Sequence, residues 1–299
     1  MRVLVSGASG LVGSALTDAM RRAGHTVNRL FRPGSSGAPG DVGWDLRSGQ
    51  IELAGLEGID GVVHLAGASI ADGRWTKARK KLLRESRVDA TRILVNGLLG
   101  LKRPPKVLVS ASAVGYYGDR GEEQLTEMSA PGNDFLAQLA KDWEAETMRA
   151  AQNGVRAVAL RFGVILAARG GALPRMLLPF KMGVGGRLGS GKQWMSWVTL
   201  PDAVGIAKYA LENTELHGAI NAVAPSPVRN SEFTKILGKI LRRPTLFPAP
   251  GFALKLALGE MAGALLLSSQ RVIPARLNEQ KFTFAHAELE AALRAILKK

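Results

Sequence analysis

The chain of 299 residues contains no cysteine. This absence excludes disulfide bonds, thiolate nucleophiles and metal sites built from cysteine ligands. Histidine is almost as scarce, with four residues, and their positions lack the spacing of metal ligands. We therefore expect no bound metal, and the composition fits a reducing compartment.

Long apolar runs are also missing. The longest one near the C terminus, 252–267, is interrupted by Lys255 and Glu260 and is too short and too polar to span a membrane. The N terminus leads directly into a strand pattern, with no room for a signal peptide in front of it. We therefore expect a cytoplasmic protein without a membrane partner.

Acidic residues are few, 25 against 40 Lys and Arg, so the formal net charge is +15. Such an excess favours acidic partners, among them phosphate cofactors, nucleic acid and anionic surfaces, or reflects a basic proteome. The densest basic stretch, 77–87, carries six cations, but its apolar positions are spaced to face inward, which is typical of a solvated helix. We expect no nucleic-acid partner.

Short apolar runs alternate with helical stretches through the first half of the chain. This alternation predicts an α/β fold of the Rossmann type, with a doubly wound parallel sheet. Strands are predicted over 2–6, 26–31, 61–65, 106–110 and 156–166, and helices over 11–23, 76–99 and 133–153. Residues 1–166 should form the nucleotide-binding domain. A smaller, mainly helical substrate lobe should contain 167–193 and 224–299, with parts of 194–223 returning to the first domain.

A glycine-rich loop follows the first strand and opens the first helix. It reads Gly7-Ala8-Ser9-Gly10-Leu11-Val12-Gly13, a G-x-x-G-x-x-G pattern. Such a loop lets the backbone approach a pyrophosphate, which then lies on the N–H groups at the start of the helix. Because strand, loop and helix occur in the required order, the motif predicts dinucleotide binding.

The end of the second strand predicts the choice of cofactor. An acidic residue there would bind the two ribose hydroxyls of NAD, but the sequence offers Phe31-Arg32-Pro33 and no carboxylate. A guanidinium can pair in a bidentate manner with the 2′-phosphate of NADP. We therefore predict NADP(H), with Arg32 as the residue that recognises the phosphate.

Together these motifs resemble the extended short-chain dehydrogenase/reductases, and in detail an atypical branch of epimerase-family NAD(P)-binding proteins. Some members of that branch are described as cell-division inhibitors. The resemblance covers essentially the whole chain. It rests on Val63-His64-Leu65-Ala66-Gly67, Glu85-Ser86-Arg87, Gly115-Tyr116-Tyr117-Gly118-Asp119, Trp143-Glu144, Leu160-Arg161-Phe162-Gly163-Val164 and Val228-Arg229-Asn230.

The resemblance adds cofactor contacts at the ends of later strands. Asp45 is similar to a residue that meets the adenine, and Leu65-Ala66-Gly67 to a stretch beside the nicotinamide ribose. Arg87 is similar to a cofactor-contacting position on the next helix. The residues expected to bind the cofactor are Gly7, Ser9, Gly10, Leu11, Val12, Gly13, Phe31, Arg32, Asp45, Leu46, Leu65, Ala66, Gly67, Arg87, Ser110, Ala111, Arg161, Gly163 and Val164.

The family's acid/base pair is absent. Ordinary members place Tyr and Lys four residues apart on the helix after the fifth strand, where the lysine charge prepares the phenol for proton transfer. Aligning Glu144 with the family's glutamate places Leu136 and Ala140 at those positions. Ser112 matches the catalytic serine of the family. Tyr116, and Tyr117 second, could act as surrogate proton carriers or could pack beside the cofactor without transferring protons.

Three hypotheses remain open. The first is an NADP-dependent oxidoreductase or epimerase acting on an unidentified small molecule. The second is a non-catalytic NADP-binding sensor or regulator, and the third, least favoured by the intact glycine loop, is a nucleic-acid-associated protein. For an enzyme, the substrate pocket should lie above the strand ends and include Ser112, Tyr116, Arg161, the loop 183–193, and Trp194 or Trp197. Arg187 or Lys192 of that loop could meet an anionic substrate.

Overall fold

A computed structural model describes residues 1–31 and 37–298 of the chain. Its first half contains nine strands and five α-helices in the described ranges. These are β1 (Arg2–Ser6), α1 (Leu11–Arg22), β2 (Thr26–Phe31), β3 (Val42–Asp45), β4 (Gln50–Ile51), α2 (Leu53–Leu56), β5 (Gly61–His64), α3 (Lys77–Arg84), α4 (Ala90–Leu99), β6 (Val107–Ala113), β7 (Gln124–Leu125), α5 (Phe135–Met148), β8 (Arg156–Phe162) and β9 (Val164–Leu166).

The second half is richer in helix. Its elements are α6 (Leu173–Lys181), β10 (Trp194–Met195), β11 (Trp197–Thr199), α7 (Leu200–Glu212), β12 (Gly218–Ala222), β13 (Val228–Arg229), α8 (Asn230–Leu241), α9 (Gly251–Leu258), α10 (Glu260–Ala262), β14 (Arg271–Val272), α11 (Ala275–Glu279) and α12 (Leu289–Leu297). In the part of the chain that the structure describes, no helix is both long and apolar enough to cross a membrane.

One sheet of eight strands organises the molecule, in the order β12-β8-β6-β5-β1-β2-β3-β4. All neighbours are parallel except β3 and β4. The apolar side chains of α1 and α7 pack on one face of the sheet. Those of α2 and α4 pack on the other face. The predicted α/β class, with helices on both faces of a parallel sheet, is confirmed.

The differences from the predicted elements have local causes. The predicted strand 156–166 is interrupted at Gly163, where a Cβ atom would lie 2.6 Å from the carbonyl oxygen of Ser196. β9 then leaves the main sheet and pairs with β11. The predicted helix 76–99 widens into one π-helical turn over Glu85–Asp89, between α3 and α4.

The chain after β9 contributes both to the main sheet and to a separate hydrophobic core. β12 joins the edge of the main sheet beside β8. A separate core, distinct from the two beside the sheet, is formed by α6, α8 and α12 around Trp197 and Phe233. β14 reaches back to pair with β7. The domain boundaries proposed from the sequence remain a prediction.

Candidate cofactor and active site

The glycine loop leaves no room for side chains at two of its three glycines. Gly7 has a φ of +66°, and a Cβ atom there would lie 2.8 Å from the carbonyl carbon and oxygen of Leu65. A Cβ atom on Gly13 would lie 2.1 Å from the carbonyl oxygen of Gly7. Because these two residues are glycines, the backbone of the loop can contact both α1 and the end of β5. A pyrophosphate cradle requires this close approach.

Helix α1 presents an open N terminus above this loop. Its N-cap residue is Gly10, which has no side chain to bind the first N–H groups, and its first turn carries no acidic residue. Ser9 and Gly10 are exposed, while Leu11 and Val12 are half-buried. The unpaired N–H groups and the positive end of the helix dipole can thus meet a phosphate.

A buried pair of side chains fixes the neighbouring strand ends. Ser6 Oγ accepts hydrogen bonds from the N–H groups of Leu65 (3.0 Å) and Ala66 (3.2 Å), and lies 2.6 Å from His64 Nδ1. With both N–H groups donating to it, the hydroxyl is left to donate to His64. Burial lowers the pKa of His64 to about 4, so the ring is neutral at physiological pH. His64 positions the stretch 65–67 and is itself enclosed in the core.

The carboxylate of Asp41 is bound to strand β2. Asp41 accepts hydrogen bonds from the side chain and N–H of Arg29 and from the N–H of Ala38. Burial opposes ionisation of Asp41, but these bonds and the charge of Arg29 hold its pKa below the usual value. Phe31 ends the strand, and Arg32 lies outside the described residues. The Asp41 carboxylate is thus engaged by Arg29 and Ala38 of its own region.

Asp45 and Leu46 follow β3, as expected from the resemblance. The Asp45 carboxylate accepts hydrogen bonds from the Arg47 N–H (2.9 Å) and the Ser48 hydroxyl (3.0 Å) of its own turn. These bonds hold the pKa of Asp45 below its usual value. Its contact with an adenine remains a prediction.

Arg87 is a half-buried cation for which the described residues provide no carboxylate partner. Its Nη2 donates to the Ala68 carbonyl (2.9 Å), and its guanidinium lies 5.4 Å from the centre of the Trp143 ring. Burial and the neighbouring charge of Arg79 lower the pKa of Arg87 to about 10. A Cβ on Gly67 would lie 3.3 Å from this guanidinium. An anion beside Gly67 would therefore meet an available positive charge.

The serine assigned to catalysis faces the interior. Ser112 Oγ donates to Glu144 Oε1 (2.6 Å), and the Glu144 carboxylate receives two further hydrogen bonds from Arg161, at 2.8 and 2.7 Å. Burial disfavours the Arg161 cation, but the hydrogen bonds and charge of Glu144 outweigh it and hold the pKa of Arg161 above its ordinary value. This environment disfavours contact of Ser112 with a substrate and of Arg161 with a cofactor. Both roles remain predictions.

The two candidate tyrosines have opposite environments. Tyr117 is fully buried, and its hydroxyl accepts from Arg161 Nη1 (2.9 Å) and lies 2.7 Å from Asn221 Oδ1. Burial raises the pKa of Tyr117 to about 12. Tyr116 is half-buried, its ring lies against the Arg161 guanidinium, and within the described ranges its hydroxyl has no protein partner. The geometry disfavours Tyr117 as a proton carrier and leaves Tyr116 as the candidate.

Other cofactor candidates lie at the ends of β6 and β8. Ser110 is buried and donates to the Ala111 carbonyl (3.2 Å). Gly163 is crowded by the Ser196 backbone, and the Val164 N–H donates to the Ser196 carbonyl (2.9 Å). Each of these residues therefore has a structural role at its strand end. Their contact with a cofactor remains a prediction.

The expected tryptophan lining is not found for Trp197. This side chain is fully buried, and its Nε1 donates to the Ser226 carbonyl (2.9 Å). Trp194 is half-buried between the guanidinium groups of Arg229 and Arg271, each 4.7 Å from the ring centre. Trp197 lies on β11, which pairs with β9, and its side chain belongs to the core formed by α6, α8 and α12.

The sequence analysis did not identify the residues that bind Arg161 and Tyr117. Asn221 on β12 was not singled out, and Glu144 served only to align α5. Asp41, the partner of Arg29, was not singled out either. The signal for Glu144 was present, because it shares its helix with the buried apolar residues Leu139, Ala140 and Trp143. A carboxylate on such a face requires a buried partner. Among the described residues, no cluster of His, Asp and Glu could hold a metal ion.

The strand order, the glycine cradle and the strand-end residues define a Rossmann-type nucleotide-binding protein. The model of the NAD dependent epimerase/dehydratase family matches residues 3–223, and that of a domain of unknown function, DUF1731, matches residues 249–296. The chain therefore belongs to the NAD dependent epimerase/dehydratase family, as its motifs predict.

Relatives match along nearly the whole of this chain. The epimerase family protein Mb2239 of Mycobacterium bovis is 42% identical over 291 residues, which are 97% of this chain and 96% of that protein. The crystal structure of the human epimerase family protein SDR39U1 with NADPH has a TM-score of 0.89 and 34% identity, and covers 100% of both chains. A nucleoside-diphosphate sugar epimerase from Corynebacterium glutamicum has a TM-score of 0.83 and 36% identity, over 99% of this chain and 58% of that one.

Proposed function

We propose that this protein binds NADP(H) and is an oxidoreductase or epimerase acting on a small-molecule substrate without the family's Tyr-Lys pair. The observation that carries the proposal is the cradle at α1, where Gly7 and Gly13 have no space for a Cβ atom beneath an uncapped helix N terminus. A plain turn would not need such close backbone contacts. The human relative, 34% identical, was crystallised with NADPH.

The residues around the cradle suit a phosphorylated dinucleotide. Arg87 supplies a positive charge without a carboxylate partner in the described part of the chain, beside the stretch 65–67. Arg32 would meet the 2′-phosphate, and the carboxylate of Asp41, which follows this segment in the chain, is engaged by Arg29. When bound, NADP(H) supplies or accepts a hydride. Tyr116 would hold the proton exchanged with the substrate, and Arg161 would fix the orientation of its ring.

A cofactor titration tests the proposal. A charge-assisted hydrogen bond contributes roughly 1.5–3 kcal/mol, so Arg32→Ala should weaken NADPH binding by about 10- to 100-fold and leave NADH binding almost unchanged. The matched control is Arg22→Ala at the exposed end of α1, which should bind both cofactors as the unmodified protein does. Cofactor fluorescence measures all of these affinities. Equal affinity of the unmodified protein for NADPH and NADH would contradict the choice of cofactor.

A second candidate function is favoured by helix α5. Leu136 and Ala140 occupy the positions of the family's tyrosine and lysine, so this helix supplies no acid or base at those positions. The protein would then bind NADP(H) as a sensor or regulator, for example of cell division. Tight NADPH binding without NADPH oxidation across a broad panel of carbonyl compounds would favour this candidate, whereas turnover of any of them would favour the enzyme.

A further inference from the structure

Helix α9 is as apolar as a buried helix, but it lies on the surface of the protein. Its sequence, Gly-Phe-Ala-Leu-Lys-Leu-Ala-Leu, carries one charge, at Lys255, and none of its residues is buried. Phe252 and Leu256, one turn apart, are 76% and 78% exposed. A helix that is apolar around its circumference is normally enclosed by other elements. The outer surface of α9 therefore has the character of a binding surface.

This exposed surface continues from α9 onto α6 and the loop after it. The Gly189 N–H donates to the Ala249 carbonyl (2.8 Å), and the Ala249 N–H donates to the Arg187 carbonyl (2.9 Å). The loop thus lies beside the segment that leads into α9. These neighbouring elements carry seven exposed apolar side chains, together called the apolar face: Leu178, Met182, Val184, Leu246, Phe247, Phe252 and Leu256. The face contains seven of the eleven exposed large hydrophobic side chains in the described residues.

Only basic charges flank the apolar face along the chain. The sequence has no Asp or Glu between Glu146 and Asp202, or between Glu232 and Glu260, and the whole face comes from these two stretches. Of their cations, Arg175 pairs with Asp72 and Lys239 with Glu290. Eight others are exposed and have no ion pair in the described ranges: Arg169, Lys181, Arg187, Lys192, Lys235, Arg242, Arg243 and Lys255.

We propose that the apolar face docks on the surface of an anionic phospholipid membrane, with the protein lying on the bilayer and not spanning it. Exposed apolar side chains flanked by Lys and Arg are the features by which proteins bind this interface. The apolar side chains enter the boundary between headgroups and acyl chains, and each nearby cation gains from the negative surface potential. The sequence expectation of no membrane partner rested on spanning segments, which interfacial binding does not require.

The charge pattern distinguishes this partner from two others. A symmetric dimer through the apolar face would bring the eight cations of both subunits to one interface, because a twofold interface joins the same patch on both subunits. A nucleic acid would neutralise the cations but would bury none of the aliphatic side chains in an apolar environment. An anionic membrane can bury the apolar side chains and neutralise the flanking cations at the same time.

A cavity of about 430 Å³ opens beside α9 in the same region. Ser190 and Lys255 supply polar groups to its wall, and Phe252 and Leu267 supply apolar ones. Lys255 has no ion pair within the described residues. A phospholipid headgroup would contact the polar part of the cavity wall, and the start of its acyl chains would contact the apolar part. In the proposal, the cavity therefore binds one lipid within the larger docking surface.

Vesicle sedimentation with the full chain tests the proposal. The protein should sediment with vesicles made of equal parts phosphatidylcholine and phosphatidylglycerol, and far less with vesicles of phosphatidylcholine alone. Raising the ionic strength should weaken the binding, because salt screens exposed charges. Binding to both kinds of vesicle alike, or to neither, would overturn the proposal.

Two sets of variants separate the apolar and the charged contributions. The double variant Phe252→Ser with Leu256→Ser should bind anionic vesicles about tenfold or more weakly. Its matched control, Leu53→Ser with Met128→Ser, removes exposed apolar side chains elsewhere and should bind normally. Exchanging Lys181, Arg243 and Lys255 for Gln should weaken binding by roughly 100-fold. The same exchange at the exposed residues Arg22, Lys102 and Lys141 alters the net charge equally and should have a much smaller effect.

The remaining outcomes count against the membrane. Vesicle binding that survives the loss of Phe252 and Leu256 would overturn the proposal. So would a dimer in solution that these two substitutions dissociate, or binding of duplex DNA tighter than that of vesicles and sensitive to the charge variant alone. NADPH titration of each variant verifies that the nucleotide-binding domain is intact, since the substituted residues all lie outside the glycine cradle.

Discussion

The guanidinium carbon of Arg161 lies 3.5 Å from the centre of the Tyr116 ring. Arg161 is 3% exposed and is held by two hydrogen bonds to the Glu144 carboxylate, so the Tyr116 ring packs against a buried ion pair. Cation–π contacts of this kind gain strength when the cation is shielded from water. The tyrosine that the fold leaves accessible is therefore oriented by residues of β8 and α5.

The first prediction separates the two tyrosines. Tyr116→Phe should reduce turnover of a substrate by about 10²- to 10⁴-fold, the usual contribution of general acid/base catalysis, with NADPH affinity unchanged. Tyr117→Phe should keep the chemistry and lower the free energy of unfolding by roughly 1–3 kcal/mol, because Asn221 and Arg161 lose a buried partner. Kinetics and urea denaturation of both variants measure these effects. Full activity of Tyr116→Phe would refute the role assigned to its hydroxyl.

The second prediction concerns the ion pair below Tyr116. Glu144→Gln leaves the Arg161 cation buried without a counter-charge and should reduce the free energy of unfolding by about 3–5 kcal/mol. Glu290→Gln, which removes the exposed partner of Lys239 and Arg294, should change it by less than about 1 kcal/mol. Urea denaturation curves of the two variants give the comparison. Similar losses in both would show that burial does not strengthen the Glu144 interaction.

The strands β1, β2, β5, β6 and β8 could be predicted because each carries its own local signal, whereas β3 and β4 were not predicted. Val3-Leu4-Val5 and Val62-Val63 are short apolar runs, as expected for strands covered on both faces. The end of β6 carries no such signal, since 110–113 reads Ser-Ala-Ser-Ala, and the strand was predicted to stop at 110. It continues to Ala113 because it pairs with β8 as far as Phe162.

The environments within the site depend on distant residues and could not be predicted. Tyr116 and Tyr117 are adjacent and chemically identical, and only the orientation of the short helical turn Val114–Tyr117 buries one and leaves the other accessible. The partner of Glu144 is 17 residues away on another element. The glycine loop, in contrast, could be recognised because its requirement for small residues is local.

The third prediction tests the glycine cradle. Gly13→Ala places a Cβ atom 2.1 Å from the Gly7 carbonyl oxygen, so the loop must shift, and NADPH affinity should fall by about 10- to 100-fold. Gly263→Ala is the matched control, because a Cβ atom there meets no atom within 4 Å and its φ is −58°. The control should bind NADPH normally and be as stable as the unmodified protein. Normal cofactor affinity in Gly13→Ala would contradict the pyrophosphate cradle.

The last prediction concerns the pH dependence of stability through His64. The pKa of this buried ring is about 4 in the folded protein, whereas an exposed histidine has a pKa of 6.5. Above pH 6.5 the ring is neutral in both states and adds no pH dependence. Between these two values the unfolded chain binds a proton that the folded protein does not, so stability falls as the pH falls, by about 3 kcal/mol in all. Burial raises the pKa of the Glu127 carboxyl, so the folded protein binds this proton more readily than the unfolded chain does. Its titration therefore acts in the opposite sense and increases the stability of the protein as the pH falls.

The contribution of His64 can be isolated by difference. His64→Asn removes the titrating ring and keeps a hydrogen-bond acceptor for Ser6, while Glu127 and all other carboxylates titrate as before. The free energy of unfolding, measured by urea denaturation at several pH values from 7 to 4, should fall less steeply in the variant than in the unmodified protein. The difference between the two curves should be flat above pH 6.5 and grow steadily below it, because only the unfolded state of the unmodified protein gains the extra proton. Parallel curves across this range would show that His64 accepts a proton in the folded state, and that the Ser6–His64 pair does not require the neutral ring.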